Sequence, residues 1–310
     1  MSIFRNRFFF FKKKITTQVP SSQLSLEIGR EAQADRNHRQ GGRSFYFFDF
    51  DDNVAYLLTG IYIFHKQTGE EIALSSGEFA RGHHHIGKHG EFKDYELRMD
   101  DPQNGSFRDF RDHDIGLIPS LLGSKQKFVN DVLHILGLAD YRWKGPSWDC
   151  FYHAVFNQRP LSIITARGHG IETVKAGIEQ FVGAGYLPQV PNYLSIFPVS
   201  HPSIRAQLGD QANKASISEL KKAAIHASVE RAFSEYGENK YHRFGMSDDD
   251  PKNIELILQS MGELKKQYPE NSFFVFDSSR GKLLKREVFT EHVVDSEIEG
   301  SQQMSLFDKS

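Results

Sequence analysis

Cysteine is nearly absent from this chain, which has Cys150 alone among 310 residues. A single cysteine excludes an internal disulfide and is typical of a reducing compartment, so we expect a cytoplasmic protein. Long apolar runs are also missing, since none approaches the ~20 residues that a membrane-spanning helix needs. A net charge of −2 gives no overall attraction to nucleic acid or membranes, so any such contact must be local.

The first 43 residues do not have the pattern of a folded domain. Residues 8–11 are four phenylalanines with basic residues around them, which falls short of the ~7–15 apolar residues in a signal-peptide core. We expect a strand or an unstructured extension there, with a basic–aromatic anchor on a membrane surface as the alternative. Residues 18–43 are mostly polar and end in a Gly-Gly pair before Arg43, which indicates a linker.

Apolar strands alternate with helical patterns through most of the remaining chain. The apolar stretches cover residues 44–48, 161–166, 193–199, 241–246 and 273–276. Helical spacing follows each of the second, third and fourth stretches, and the last helix has Asp250 as a predicted N-cap before Pro251. This alternation predicts an α/β fold, a three-layer sandwich around a Rossmann-like parallel sheet.

Residues 60–160 interrupt this alternation of strands and helices directly after the first strand. Two β-hairpins are predicted there, turning at Thr68-Gly69 and near Asn104-Gly105, and two helical patterns follow them. We therefore predict an inserted α+β cap domain at 60–160 and a core formed by residues 44–59 and 161–290. The last residues, 291–310, are polar and acidic and are predicted to be a flexible tail.

Polar and acidic side chains follow three of the predicted strands. Asp49 and Asp51 come after the first strand, Thr165 ends the second, and Asp248 and Asp249 follow the fourth. Parallel strands bind ligands at their carboxyl ends, so these side chains should meet at one edge of the sheet. Clustered carboxylates repel each other, which implies a cation, and oxygen ligands favour Mg²⁺. An Asp-x-Asp pair can also divide the roles of nucleophile and proton carrier.

Three of these segments resemble motifs of the haloacid dehalogenase-like (HAD) hydrolase superfamily. "FFDFDDNV" is similar to its first motif, "LSIITARG" to its second and "FGMSDDDPKNI" to its fourth. Their order and separation are similar to those of capped phosphatases in that family, with the cap inserted after the first motif. The resemblance covers residues 44–59 and 161–279. It implies a Mg²⁺-dependent phosphohydrolase that hydrolyses phosphomonoesters through an aspartyl-phosphate intermediate, with the substrate set by the cap.

The resemblance also implies a role for each motif residue. Asp49 would attack the phosphoryl group and bind Mg²⁺ with its other oxygen. Asp51 would protonate the leaving oxygen, activate water and give its backbone carbonyl to the metal. Thr165 would hydrogen-bond the phosphoryl group, while Asp248, with Asp249 as second choice, would complete the metal site.

The family also uses a lysine beside the nucleophile, and several lysines here are candidates. We favour Lys214, because it follows the third strand and precedes a helix. The alternatives are Lys221, Lys222 and Lys240. Two positions depart from the family pattern: Asn53 stands where a threonine is usual, and Lys252 stands where one variant of the fourth motif has an acid.

Other residues admit several interpretations. The histidines in "RGHHHIGKHGEF" are predicted to lie in a solvated loop of the cap, with phosphate or substrate contact and metal binding as alternatives. These are His83, His84, His85 and His89. Arg167 follows a strand, where it would contact substrate or lie on the surface. Cys150 lies in an aromatic stretch and is predicted to be a core residue.

The C-terminal tail contains a possible partner motif. "QMSLF" resembles the short motif by which bacterial proteins dock on the DNA polymerase sliding clamp. Its residues Gln303, Leu306 and Phe307 would provide the contacts, and the last two would be exposed apolar anchors. This leaves two further hypotheses: a HAD-like domain that only binds, and a DNA-repair-associated factor recruited to the clamp. A tail that folds back on the core is the alternative.

Overall fold

The computed structural model of the chain describes residues 31–99, 101–116, 123–279 and 283–297. Its main feature is a seven-stranded sheet in the order β10-β9-β8-β7-β1-β5-β6. The strands β8, β7, β1, β5 and β6 run parallel, and β9 and β10 are antiparallel additions at one side. The bounds of these strands are β1 Ser44–Phe48, β5 Leu161–Thr165, β6 Tyr193–Pro198, β7 Arg243–Asp248, β8 Ser272–Asp277, β9 Leu284–Val288 and β10 Val293–Glu297.

Helices cover both faces of this sheet. The α-helices of the described residues are α1 Ser76–Gly82, α2 Lys127–Ile135, α3 Trp148–Phe156, α4 Ile171–Gly183, α5 Pro202–Gln207, α6 Ile217–Tyr236 and α7 Pro251–Gln267. Buried residues of α2, α3 and α4 form one core cluster with the sheet, and those of α5, α6 and α7 form a second. The described part of the chain from residue 32 onward therefore has three layers with the sheet in the middle. Among the described helices, none is long and apolar enough to cross a membrane.

Strand β1 shows why an aromatic run can be a central strand. Its side chains alternate between the two core clusters, because successive residues of a strand point to opposite faces. Tyr46 and Phe48 belong to the first cluster, whereas Phe45 and Phe47 belong to the second. Since both faces are buried, every position can be apolar and no polar alternation is needed.

The predicted α/β architecture with a Rossmann-like parallel sheet is confirmed, but the sheet is larger than the sequence indicated. Val293–Glu297, assigned by sequence to the flexible tail, form β10 and pair with β9. Three charged residues in a row form the middle of β9, and β10 ends in three polar residues at the exposed edge, so both strands lack the continuous apolar signal of the buried strands. The antiparallel side of the sheet was therefore missed.

The inserted segment is divided between two environments. Its strands β2 Ile61–His65, β3 Glu71–Leu74 and β4 Tyr95–Glu96 form a separate three-stranded sheet in the order β3-β2-β4. The first predicted hairpin is present as β2 and β3. The second hairpin is wrong, because β4 is its one strand among the described residues, and it pairs with β2. Helices α2 and α3, assigned by sequence to the cap, pack on the main sheet instead.

The packing of α2 on α4 depends on a glycine. A Cβ atom at Gly177 of α4 would lie 2.2 Å from Cε1 of Phe128, a fully buried ring of α2. We expect Gly177→Ala to lower the free energy of unfolding by about 1–3 kcal/mol, even after the gain in helix propensity. Urea denaturation would measure this, with Gly183→Ala as the control, since no described atom lies within 4 Å of a Cβ there. A Gly177→Ala protein as stable as the wild type would contradict the packing.

Candidate functional site

The acidic residues at the ends of β1 and β7 lie together because these two strands are neighbours. Phe48 is paired with Ser247 in parallel register, and the backbone N–H of Asp49 donates to the Ser247 carbonyl oxygen at 2.9 Å. Both strands therefore end at the same edge of the sheet, which we call the carboxyl edge. Asp49 and Asp248 are buried there, and Asp249 is half-buried.

A lysine from helix α6 joins these carboxylates. The ammonium group of Lys221 lies 3.1 Å from Oδ2 of Asp49 and 2.7 Å from Oδ2 of Asp248. Its side chain is 3% exposed, so both ion pairs are shielded from water. Burial alone would lower the pKa of Lys221, but the two carboxylates outweigh it and raise that pKa above its usual value. The lysine is therefore a fixed positive charge beside Asp49.

One ammonium group does not neutralise this cluster. Asp49, Asp248 and Asp249 each offer an oxygen atom, and these atoms lie within 4.8 Å of one another. Burial raises the pKa of Asp49 well above its usual value, against the opposite effect of Lys221. Burial and the neighbouring Asp248 raise the pKa of Asp249 to about 8. After burial, the neighbouring carboxylates add to both shifts, as expected where three acids share one ammonium group.

The cluster fits a divalent cation in its charge and its donor atoms. When ionised, three carboxylates and one ammonium leave a charge of −2, the amount that one divalent cation cancels. In addition, Oδ1 of Asp49 is buried and has no hydrogen-bond partner among the described residues. Carboxylate oxygens are the donors that Mg²⁺ and Ca²⁺ prefer. Within the described ranges, this is the one group of three or more side chains able to hold a metal.

Asp51 belongs to a neighbouring network at the same edge. Arg167 binds its carboxylate through Nε at 2.9 Å and through Nη2 at 2.6 Å. The hydroxyl of Thr165 also donates to Asp51, at 3.1 Å. Arg167 donates a further bond of 2.7 Å to Thr59, which links the network to the start of the inserted segment. Arg167 is 1% exposed, so the alternative that it lies on the surface is wrong.

Asn53 fixes the loop that carries the two aspartates. Its amide nitrogen donates to the carbonyl oxygens of Asp49 and Ser247, both at 3.1 Å. Its carbonyl oxygen accepts from the hydroxyls of Ser147, Ser247 and Ser278. The residue is fully buried, and these contacts satisfy both ends of the amide. Asparagine can therefore hold this loop in place at the position where the resembled family has threonine.

The structure does not bring Lys214 to the cluster. Its side chain is exposed, and its backbone N–H donates to Asp210 in the loop before α6. The favoured lysine of the sequence analysis is thus replaced by Lys221, one of its alternatives. Lys222, the next residue, instead pairs with Glu263 at 2.6 Å on the outer side of the helix. Lys240 lies at the surface beside Glu270.

The periodicity of α6 contains the signal that could have identified Lys221. The buried positions include Lys221 with Ile225 and Ser228, four and seven residues later. Residues with this spacing share one face of a helix. A lysine on the buried face of a helix needs a buried partner of opposite charge. The acids at the carboxyl edge can provide it. Position after the third strand favours Lys214, whereas helical phase favours Lys221.

Several other predicted positions have clear structural assignments. Asp250 caps α7, because its carboxylate accepts from the backbone N–H of Lys252 at 2.9 Å and Pro251 begins the helix. The prediction of an N-cap is confirmed. Cys150 is a buried residue of α3 and belongs to the first core cluster, where burial raises the pKa of its thiol. It is a core residue, as predicted.

The histidine group lies on the surface of the inserted segment. His83, His84 and His85 form a 3-10 helix, and the ring nitrogens His85 Nδ1 and His89 Nε2 are in contact. The rings of His85 and His89 line an open cleft of about 450 Å³. A solvated loop, substrate contact and metal binding all remain predictions for this group.

Comparisons with known proteins leave the chain without an assigned family. No protein-family model matches it, and neither curated proteins nor solved structures give a match. The proposed sliding-clamp motif, Gln303, Leu306 and Phe307, lies outside the described residues, so clamp docking stays a prediction from sequence. The function is inferred from the geometry of the carboxyl edge.

Proposed function

We propose that this protein is a Mg²⁺-dependent phosphohydrolase of the HAD type, which hydrolyses phosphomonoesters through an aspartyl-phosphate on Asp49. One observation carries the proposal: a buried aspartate directly follows the central parallel strand and contacts a buried lysine, which also pairs with the buried carboxylate of Asp248. The strand order β8-β7-β1-β5-β6 supports it, because it brings the ends of β1, β5 and β7 to one edge. These are the strands whose ends carry the three resembling motifs.

Asp49 has the arrangement that a nucleophile needs. One carboxylate oxygen contacts Lys221, whereas Oδ1 has no partner among the described residues. In the first step an Asp49 oxygen attacks phosphorus as the bond from phosphorus to the leaving oxygen breaks. In the second step water attacks the same phosphorus and frees the carboxylate. Lys221 offsets negative charge on both the nucleophile and the phosphoryl group, which would otherwise repel each other.

Asp51 is the residue placed to move protons. It lies two positions after Asp49, at the same edge, and it contacts the hydroxyl of Thr165. It would give a proton to the leaving oxygen and then take one from the attacking water. Its present contacts are all to donors, so Asp51 must release Arg167 and take up a proton from solvent before it can donate one to the leaving oxygen. Thr165 is then free to hydrogen-bond the phosphoryl group.

The cation would be held by Asp49, Asp248 and Asp249, the cluster whose charge and oxygen donors fit it. When bound, Mg²⁺ supplies positive charge that stabilises the transferring phosphoryl group. Asp248 is well prepared to act as a ligand, because Asn253 and the backbone N–H of Asp250 fix its carboxylate. The inserted three-stranded sheet would act as the cap that selects the substrate.

Metal removal tests this proposal in two ways. We expect hydrolysis of an aryl phosphate and of a panel of phosphomonoesters to fall at least about 100-fold with a chelator and to return with Mg²⁺. Mg²⁺ at a hundred times its Kd should also raise the free energy of unfolding by about 2.7 kcal/mol. The second readout needs no substrate. Hydrolysis that persists in chelator, or a panel without any Mg²⁺-dependent turnover, would contradict the proposal.

A further inference from the structure

Basic side chains collect on the β5–β6 side of the carboxyl edge, away from the acidic cluster. We call this group the basic edge, and it consists of Arg111, His113, Arg167, His169 and His201. Three chain segments bring it together. The N–H of Gly168 donates to Phe110 at 2.7 Å, which places the inserted segment beside the loop after β5. The N–H of Ser200 donates to Arg167 at 3.1 Å, which places the loop after β6 there as well.

Two members of the basic edge are buried with polar atoms unsatisfied. His169 is 0% exposed, and neither of its ring nitrogens has a hydrogen-bond partner among the described residues. Nη1 of Arg167 likewise has none, although the rest of that guanidinium is bound. A buried polar group without a partner costs about 1–3 kcal/mol. Such groups side by side indicate a place where a ligand supplies the missing bonds.

His169 has basic neighbours in addition to being buried. Burial lowers its pKa to about 2, and the neighbouring Arg167, His113 and Arg111 add to the shift. The ring lies against Phe128, which also faces the guanidinium of Arg167 at 4.7 Å. The neutral imidazole can still donate one hydrogen bond and accept another.

The acids near the basic edge are already engaged. Asp51 is bound by Arg167, and Asp112 accepts from the N–H of Gly170 at 2.8 Å. Asp109 accepts from the hydroxyl of Tyr62 and lies 3.9 Å from His113. By contrast, Arg111 is half-buried and forms no ion pair with any carboxylate of the described ranges. Its charge is available to an incoming anion.

We propose that the basic edge binds a second anionic group of the substrate, a phosphate or a carboxylate, with Arg111 as its main contact. This inference rests on the proposed function, because it takes the first phosphate to be the one that Asp49 attacks. Arg167 joins the two places: it contacts Asp51 on one side and has a free Nη1 on the other. The substrate class is therefore a compact molecule with two anionic groups, a bisphosphate or a phosphorylated acid.

Substrate comparison tests the assignment, with Arg111→Gln as the variant and Arg142→Gln as the matched control at an exposed position. The probes are a sugar bisphosphate, a phosphorylated hydroxy acid and the corresponding neutral sugar monophosphate. We expect Arg111→Gln to raise KM for at least one doubly anionic probe by about tenfold or more, the effect of one lost charge-assisted hydrogen bond. For the monophosphate, kcat/KM should change by less than about threefold. Arg142→Gln should change neither.

Binding to Asp49→Asn, measured by calorimetry, separates this inference from the proposed function. We expect a doubly anionic probe to bind Asp49→Asn about tenfold more tightly than the monophosphate does. If adding Arg111→Gln to this variant removes the difference, the basic edge is an anion site even without turnover. If the wild type turns over the monophosphate as well as the doubly anionic probes, the inference is overturned. An equal loss on all probes in Arg111→Gln would also overturn it, because Arg111 would then act on the transferring phosphate or on the fold. If Arg111→Gln affects the sugar bisphosphate but not the phosphorylated hydroxy acid, the basic edge binds a phosphate. If it affects only the phosphorylated hydroxy acid, the basic edge binds a carboxylate.

Discussion

Replacement of Asp49 by Asn should reduce Mg²⁺-dependent phosphomonoester hydrolysis by at least about 10⁴-fold. The amide has the size of the carboxylate but neither its charge nor its nucleophilic oxygen. It also leaves two of the three carboxylates that would hold the cation. Steady-state hydrolysis of an aryl phosphate at saturating Mg²⁺ measures the effect. The fold should survive, because Lys221 keeps Asp248 as a partner at 2.7 Å.

Asp250→Asn is the matched control for Asp49→Asn. It makes the same chemical change one residue beyond the acidic cluster, at the exposed N-cap of α7. Asparagine caps a helix as well as aspartate does, so stability should also be retained. We expect activity to stay within about threefold of the wild type. Residual Mg²⁺-dependent turnover in Asp49→Asn, close to that of Asp250→Asn, would exclude Asp49 as the nucleophile.

Replacement of Lys221 by Met should lower kcat by about 10²–10³, the usual cost of removing one preorganised electrostatic group. Methionine has similar length, so it can fill the space that the buried side chain leaves. Without the ammonium group, the charges of Asp49, Asp248 and the phosphoryl group oppose each other directly. Because Lys221 lowers the pKa of Asp49, its removal should raise that pKa. Part of the loss in kcat should then come from protonation of the carboxylate cluster.

Lys214→Met tests the choice between the two lysines. Lys214 is exposed, and only its backbone N–H is bound, so this variant should retain wild-type activity and stability. Circular dichroism would check that Lys221→Met is folded before its activity is interpreted. If Lys214→Met lost activity while Lys221→Met kept it, the cluster seen at the carboxyl edge would not be the active one.

The parallel part of the fold was predictable because its strands are buried on both faces. The run Ser44–Phe48 has no polar alternation, and such runs flanked by helices have few other solutions. Strands β9 and β10 were not predictable in this way, since they lie at one side of the sheet with half their residues exposed. Their pairing depends on neighbours that are distant from any local pattern.

The inserted segment, which is divided between the main core and a separate small sheet, shows a second limit of prediction from sequence. A helical pattern predicts a helix and its apolar face, but it does not say which core that face meets. Phe128 and Phe151 pack into the cluster that contains Phe48, so α2 and α3 support the main sheet. Sequence order alone had assigned these helices to the cap. The small sheet of β2, β3 and β4 is the part that remains separate from the main sheet.

The site was predictable to the extent that strand ends determine it. Asp49, Asp248 and Asp249 meet because β1 and β7 are adjacent and parallel. The alternation of elements predicted the parallel direction, but not that these two strands are neighbours. Lys221 reaches them from a helix, and its place depends on how α6 packs against the sheet. The pairing of Asp51 with Arg167 depends on the loop after β5, for which the sequence has no periodic signal.

Detection of a phosphorylated Asp49 is the most direct test of the proposed mechanism. The enzyme would be quenched in acid during turnover of an aryl phosphate with Mg²⁺, and its peptides mapped by mass spectrometry. We predict an acyl-phosphate on the peptide that contains Asp49, absent from Asp49→Asn and lost on treatment with hydroxylamine. Burst-phase release of the phenol, ahead of phosphate, should accompany it where hydrolysis of the intermediate is the slower step. Turnover with no phosphate on Asp49, or with phosphate on another residue, would contradict the account.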